Sequence, residues 1–316
     1  MKRALAAVAV SIALLWIVGV ASGHADLLRI LVIGSIGSTF AIQGTLLKSV
    51  PLLLTGLAVV VAFRAGVWNI GGEGQFIAGA LAAFVAAPLG VAIAITASIL
   101  AGALWASIAS LMRAWRNAPE VLTTILLNFI GIELLGYCVN GPLQESSGKY
   151  PQSEAVAASL PQLGEIHAGV ALALIAATTS WALIYRTKEG LRLRATGFNP
   201  SAARYAGINV NAQIARAMAI SGGVAGLAGG IELLGVTHRL FERFAAGYGY
   251  SGIAVALLAQ LHPLATIVAA AFFGALVTGA GELQRAANVS SSVATLGQAV
   301  VILVLILFGS MRSRAS

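Results

Sequence analysis

Charge is scarce in this chain: only 9% of its 316 residues are Asp, Glu, Lys or Arg, against roughly a quarter in soluble domains. That scarcity excludes an ordinary water-soluble fold. Cysteine is scarcer still. Cys138, in an apolar stretch, is the one thiol, so there is no intrachain disulfide framework. The sequence has no G-x-x-x-x-G-K-[ST] loop and no strand on which a G-x-G-x-x-G turn could sit, which excludes ATP binding by this chain. The absence of H-E-x-x-H removes a zinc protease, and no cofactor or metal is implied.

In place of charge stand long apolar runs, 59% of the residues being hydrophobic, enough to cross about 30 Å of hydrocarbon repeatedly as helix. The fold expected is an all-α polytopic membrane protein, residues 1–316 forming one transmembrane domain. The net charge of +8 could point to nucleic acid. In a membrane protein, however, Lys and Arg collect in cytoplasmic loops. Lys2 and Arg3 precede the first run, Arg113 and Arg116 follow another, and Arg186, Lys188, Arg192, Arg194, Arg204 and Arg216 crowd one loop. Arg312 and Arg314 close the chain. All of them lie on one side if spans run over 4–21, 48–63, 75–88, 90–112, 121–139, 168–185, 217–236, 249–261, 263–283 and 291–311. That makes ten spans in the plasma (cytoplasmic, or inner) membrane with both termini cytoplasmic. Residues 28–47 are also apolar, but an eleventh span would invert everything after it, so they are read as a helix along the outer surface. A cleaved signal peptide over residues 1–23 is the competing reading of the start.

The stretch GVWNIGGEGQF, residues 66–76, breaks this pattern with four glycines and Glu73. Gly72 and Gly74 head an uncharged run interrupted at Pro88, and Gly247 and Gly249 head another interrupted at Pro263. The separation from Gly72 to Pro88 and from Gly247 to Pro263 is 16 residues in both. Five spans separate the copies, so they point in opposite directions: a weak inverted repeat with broken helices, the architecture in which irregular backbone lines a path near the midplane. Trp68, Asn69, Glu73 and Gln75 are the candidates to face that path, with Asn128 a further polar group. Close helix packing is the other use of such glycines. Glu73 fits it less well, because a buried charge in hydrocarbon costs about 2.5–3.5 kcal/mol. Gly222, Gly226 and Gly230 recur every four residues, which places them on one helix face for close packing. Glu133 and Glu232 occupy two copies of GIELLG, at 131 and 230, and an acid within a span is a functional candidate as well as a structural one.

Residues 186–216 carry six positive charges and one acid. Asn199-Pro200 reads as a helix start, so a short helix bounded by Gly197 and Gly207 projects into the cytoplasm. Topology and anionic-lipid contact alone would explain the charges. They do not explain the breaks, and Ala202, Ala203 and Ala206 give the helix a small face.

Taken in order, PLLLTGLAVVVAFRAGVWNIGGEGQF, PEVLTTILLNFI, EGLRLRATGFNPSAARYAGINV, AISGGVAGLAGGIELLG and GYSGIAVALLAQLHPLATIVAAAFFGAL resemble the permease of binding-protein-dependent ABC importers, the inner-membrane component of such systems, in the simple-sugar and nucleoside branch. The resemblance covers residues 45–310. It implies a ten-span permease whose loop docks into the ATPase through a coupling helix, here Gly197 to Gly207, with Gly190, Arg194, Gly197, Asn199, Pro200, Ala202, Ala203 and Gly207 as the coupling residues. The partners it implies are a second, homologous permease subunit, a cytoplasmic ATPase with two nucleotide-binding domains, and an extracytoplasmic solute-binding protein. Two departures stand out: Ala118-Pro119 where the family has Asn directly before the glutamate, and no glycine after Pro263-Leu264. The solute expected is neutral and polar, a nucleoside before a simple sugar, since the spans offer no buried cation and Arg64 lies at an edge. A proton-coupled carrier would want more acids or histidines within the spans. An intramembrane serine hydrolase would use Ser251 of Gly-Tyr-Ser-Gly with His262, three turns away. Cysteines introduced at Ser147 and Ser201, with Cys138 removed, should react with an impermeant thiol reagent from opposite sides of the membrane. Labelling of both from outside contradicts the threading.

Overall fold

The computed structural model describes residues 27–286. Its elements in chain order begin with α1 (Leu27–Ile36), α2 (Thr39–Arg64), α3 (Gly72–Ala86) with a 3-10 turn at Ala87–Leu89, α4 (Val91–Arg116) and α5 (Glu120–Val139). A two-stranded hairpin, β1 (Gln162–Leu163) and β2 (Ile166–His167), precedes α6 (Gly169–Arg186), α7 (Lys188–Phe198) and α8 (Pro200–Tyr205). Then come α9 (Val210–Glu232), running on into a π-helical turn at Leu233–Thr237, α10 (Tyr248–Leu258) and α11 (Pro263–Ala286). The chemistry of the ends is visible in the sequence. Ser38, Thr187, Asn199 and Asn209 each accept a backbone N–H of the helix they precede, satisfying donors that a helix start leaves orphaned. Asn117 ends α4 in the left-handed region at φ 53°.

Of the ten expected spans, 4–21 and 291–311 lie outside the described residues, and the other eight each fall on one helix. Seven helices among the described residues are long and apolar enough to cross a membrane. The eighth, α10, has 11 residues, a rise of roughly 16 Å and about half of what a crossing needs. This is the short pass that the glycine and proline positions call for. The reading of residues 28–47 needs correction. They do not form one surface helix: they divide between α1, packed against α11, and the first turns of α2, which begins at Thr39 rather than residue 48. The Ser-containing bend at 37–38 supplies the break, and Thr45 Oγ1 donates back to Ser35 O at 2.8 Å across it. The extra length places Lys48 nine residues inside α2, roughly 14 Å from its start.

At the centre, α9 is pressed between α3 and α4. Gly226 is where all three meet: a β-carbon there would stand 2.3 Å from Ser98 O and 2.9 Å from Gly102 Cα, while one at Gly79 would stand 2.2 Å from Gly226 O. Gly229, one residue before the expected Gly230, makes an equally close contact with the Phe76 carbonyl, 2.0 Å from an added β-carbon. Without a strong hydrophobic drive between helices in lipid, such backbone-to-backbone approach is what holds them. The loop from α5 to α6 is strapped to the segment after α9. Ser153 N donates to Leu240 O, Val156 N to His238 O and Leu160 N to Leu234 O, each at 2.9 Å, and Arg239 pairs with Glu145 at 2.9 Å. Replacing Gly226 by Leu should destabilise the fold by upwards of about 3 kcal/mol. The detergent-solubilised protein would then lose its monodisperse gel-filtration peak, whereas an unchanged peak and melting temperature would refute this packing.

Candidate functional site at the broken helices

Seven residues, Ala65–Gly71, leave the helical path between α2 and α3, and within a membrane every backbone polar group they free needs a partner inside the protein. The local sequence provides most of them. Ala65 N, Gly66 N and Val67 N turn back onto Ala62 O and Phe63 O. Gly71 N donates to Asn69 Oδ1 (2.9 Å) and Ile70 N to Thr124 Oγ1 (3.3 Å). Asn128 serves both sides of the break, its Nδ2 donating to Ile70 O (2.9 Å) and its Oδ1 accepting from Gly74 N (2.8 Å). Asn69 and Gln75 pair through both amide groups at 2.9–3.0 Å, and Asn69 Nδ2 also donates to Ser221 Oγ (2.8 Å), which in turn donates to Ala58 O.

The second break answers the first. Gly249 lies so close to α3 that a β-carbon would stand 2.1 Å from Glu73 N. Each carboxylate oxygen of Glu73 accepts one backbone N–H from the start of α10, Gly247 N to Oε1 and Gly249 N to Oε2, both at 2.8 Å. Here an acid supplied by one helix start caps the start of the other, where the helix dipole favours negative charge. Gly247 adopts φ +81°, which glycine tolerates and which turns the chain into α10.

The expected path residues therefore separate. Asn69, Glu73, Gln75 and Asn128 come together, but they are buried, 4% exposed or less, and their polar groups are taken up by the two breaks. In this arrangement they are buried rather than exposed. Trp68 is 57% exposed with its ring against Phe63, and Glu133 is on the exposed face of α5. Glu232 is buried at the end of α9. The two GIELLG copies thus occupy unlike surroundings. Two groups escaped the sequence reading. Thr124 is one. The other is Lys48, half-buried, whose Nζ donates to Tyr248 Oη at 3.3 Å. Its signal is a lysine amid apolar residues, which the span at 48–63 counts only as its first residue. Ser251 sits in the first turn of α10 and His262 beyond its far end, stacked on Tyr185 at 5.4 Å, so the hydrolase pair is not assembled.

The basic loop docks on the first break. An added β-carbon at Gly197 would meet Arg64 O at 2.2 Å and Gly66 N at 2.8 Å; one at Gly190 would meet Leu183 O at 2.0 Å, so α7 folds tightly onto the end of α6. Arg194 lies 5.2 Å from the Tyr185 ring, which His262 and Arg64 also flank. Glu189 binds Gln213 and Arg216 of α9 as well as Arg192, and these donors hold its carboxyl below the ordinary range. Asn199 caps α8, Pro200 is its first residue and Gly207, at φ +79°, ends it. Ala202 and Ala206 face outward with Phe198 and Tyr205, which are 96% and 95% exposed. Ala203 does not share that face. It is 3% exposed and packs inward, which corrects its place in a docking surface.

A polytopic helical protein whose two broken helices meet at their starts, with a basic loop seated on one of them, has the architecture of a membrane permease. Residues 41–309 match the family described as branched-chain amino acid transport system / permease component, and the chain belongs to it. It is 34% identical over 299 residues to the guanosine ABC transporter permease of Bacillus subtilis, covering 90% of this chain and 85% of that one. It is 33% identical over 303 residues to the glucose ABC transporter permease of Haloferax volcanii (89% and 80%), and 29% identical over 280 residues to a nucleoside ABC transporter permease of Lactococcus lactis (82% and 76%). In Bacillus subtilis and Lactococcus lactis a second permease named for the same solute also matches. The chain is thus the membrane subunit of an ABC transporter, and ATP hydrolysis resides on a separate subunit. Replacing Glu73 by Ala removes a charged acceptor from two buried N–H groups and should cost about 1–3 kcal/mol, with Glu73→Gln intermediate. A melting temperature equal to that of the unaltered protein for both variants would show that the cap carries no load.

Proposed function

We propose that this permease imports a neutral polar solute, a nucleoside in the first place and a simple sugar in the second. The observation that carries the reading is the mutual seating of the two breaks through Glu73, with the basic loop resting on Gly66. The path crosses where the breaks meet, framed by Asn69, Gln75 and Asn128, with Trp68, Glu133 and Glu232 at its margins. It opens when Glu73 and the start of α10 part. Movement of the loop reaches the break directly through the Gly197–Gly66 contact.

The coupling surface is the outward face of α8 and the end of α7, where Phe198, Tyr205, Ala202 and Ala206 meet a cytoplasmic ATPase with two nucleotide-binding domains. Gly190, Arg194, Gly197, Asn199, Pro200, Ala203 and Gly207 shape that face from behind. Pairs of permeases named for one solute in single organisms support a related but distinct second permease as partner, and an extracytoplasmic binding protein delivers the solute. The ten-span threading puts both termini in the cytoplasm. Lys48 does not by itself call for an anionic solute: it is half-buried, donates to Tyr248 Oη and interacts electrostatically with Glu232.

Proteoliposomes holding the full complex, with its binding protein, should take up uridine or adenosine in preference to ribose and galactose. Variants Phe198→Ala and Tyr205→Ala together should reduce that uptake about tenfold or more, by loss of aromatic contacts at the ATPase. Uptake of a charged amino acid with none of the four solutes transported would end the proposal.

A further inference from the structure

Three helices bring one constellation together away from the Glu73 cap. Lys48, half-buried within α2, reaches Tyr248 at the first residue of α10, its Nζ 3.3 Å from Oη and 6.0 Å from the ring centroid. Glu232, the last residue of α9, is 4% exposed, and electrostatic interaction links its carboxylate to both Lys48 and Tyr248. Yet among the described residues no ion pair within 4.0 Å joins Lys48 to Glu232, and none donates a hydrogen bond to the Glu232 carboxylate. The ammonium, with three donors, spends one on Tyr248.

A buried carboxylate without a donor is costly, and two opposite charges in a low-dielectric interior attract strongly. Their separate helices hold them apart. A guest that relieves both costs must be neutral, offering a donor to Glu232 and an adjacent acceptor to Lys48 and Tyr248 Oη. The aromatic wall beside it is the Tyr248 ring, 7% exposed and backed by the fully buried Phe76 ring 5.9 Å away. Flat apolar faces with polar edges suit such a wall. We propose that Lys48, Tyr248 and Glu232 form a solute subsite that reads the hydrogen-bonding edge of a nucleobase, its N–H on Glu232 and its neighbouring C=O on Lys48 and Tyr248, with the base beside the Tyr248 ring. This rests on the nucleoside reading above and adds which part of the solute is recognised and by which groups.

The test is binding of uridine, 3-methyluridine and ribose to the permease–ATPase complex in nanodiscs, without the binding protein, by saturation-transfer NMR titration. In 3-methyluridine a methyl group replaces the edge N–H and leaves the ribose untouched. The unaltered complex should bind uridine at least tenfold more tightly than 3-methyluridine. Glu232→Gln should weaken uridine about 10–100-fold, the range of a charge-assisted hydrogen bond, and leave 3-methyluridine unchanged. Tyr248→Phe, which keeps the ring and so the packing, should weaken uridine by a smaller factor and also spare 3-methyluridine. Equal weakening of both nucleosides, the result of a merely structural role, overturns the subsite, as does an effect on ribose alone. If the unaltered complex binds and transports ribose but no nucleoside, the nucleoside reading itself fails. Intact nucleoside transport with unaltered affinities in both variants removes the subsite alone.

Discussion

A backbone that leaves the helix inside a membrane must find every hydrogen-bond partner within the protein, and the rest of this structure follows from how the two breaks meet that demand. The Glu73 carboxylate is the central answer. Placed in the first turn of α3, it accepts two N–H groups from the start of α10 and so binds one break to the other. No helix continuing through either point would present those groups. The glycines around it are a consequence: Gly249 and Gly72 lie at a distance that any side chain would prevent.

The same demand explains the polar side chains in otherwise apolar helices. Asn69, Gln75, Ser221, Thr124 and Asn128 come from four helices or their edges, yet they form one connected shell around seven irregular residues. Each amide is used on both its donor and acceptor sides, which gives the break a single shape. A half-satisfied network in this position would be worse than an apolar one. The contact between Gly197 and the residues at 64–66 joins the basic loop directly to that shape.

Contrast within the structure separates framing from function. Glu73, Asn69 and Asn128 have full sets of partners, whereas the Glu232 carboxylate, equally buried, accepts from no described residue. Lys48, bonded to Tyr248, interacts with that carboxylate electrostatically. A saturated polar group is part of the scaffold in the state described. The unsatisfied carboxylate is the acceptor that the proposed subsite uses. The exposed aromatic pair on the loop, Phe198 and Tyr205, has the same character on the surface, having large apolar area with no described residue upon it.

The sequence by itself determined that the chain lies in a membrane, where the spans fall among the described residues, and that two glycine-headed breaks recur with proline at a fixed separation. These follow from composition and short-range pattern, which act within one helix. Its long ordered resemblance also determined the family. The start of α2 was misread because positive-inside counting weighs charges and not helix caps, so Ser38, ten residues upstream of the expected start of α2, carried the decisive signal. Only the tertiary structure decided that Asn69, Gln75 and Asn128 point inward to each other, that Ala203 faces in while Tyr205 faces out, and that Lys48, Tyr248 and Glu232 share one space. The longest of those relations join residues 152 and 200 positions apart, and no periodicity within a segment encodes which face of a distant helix it will meet.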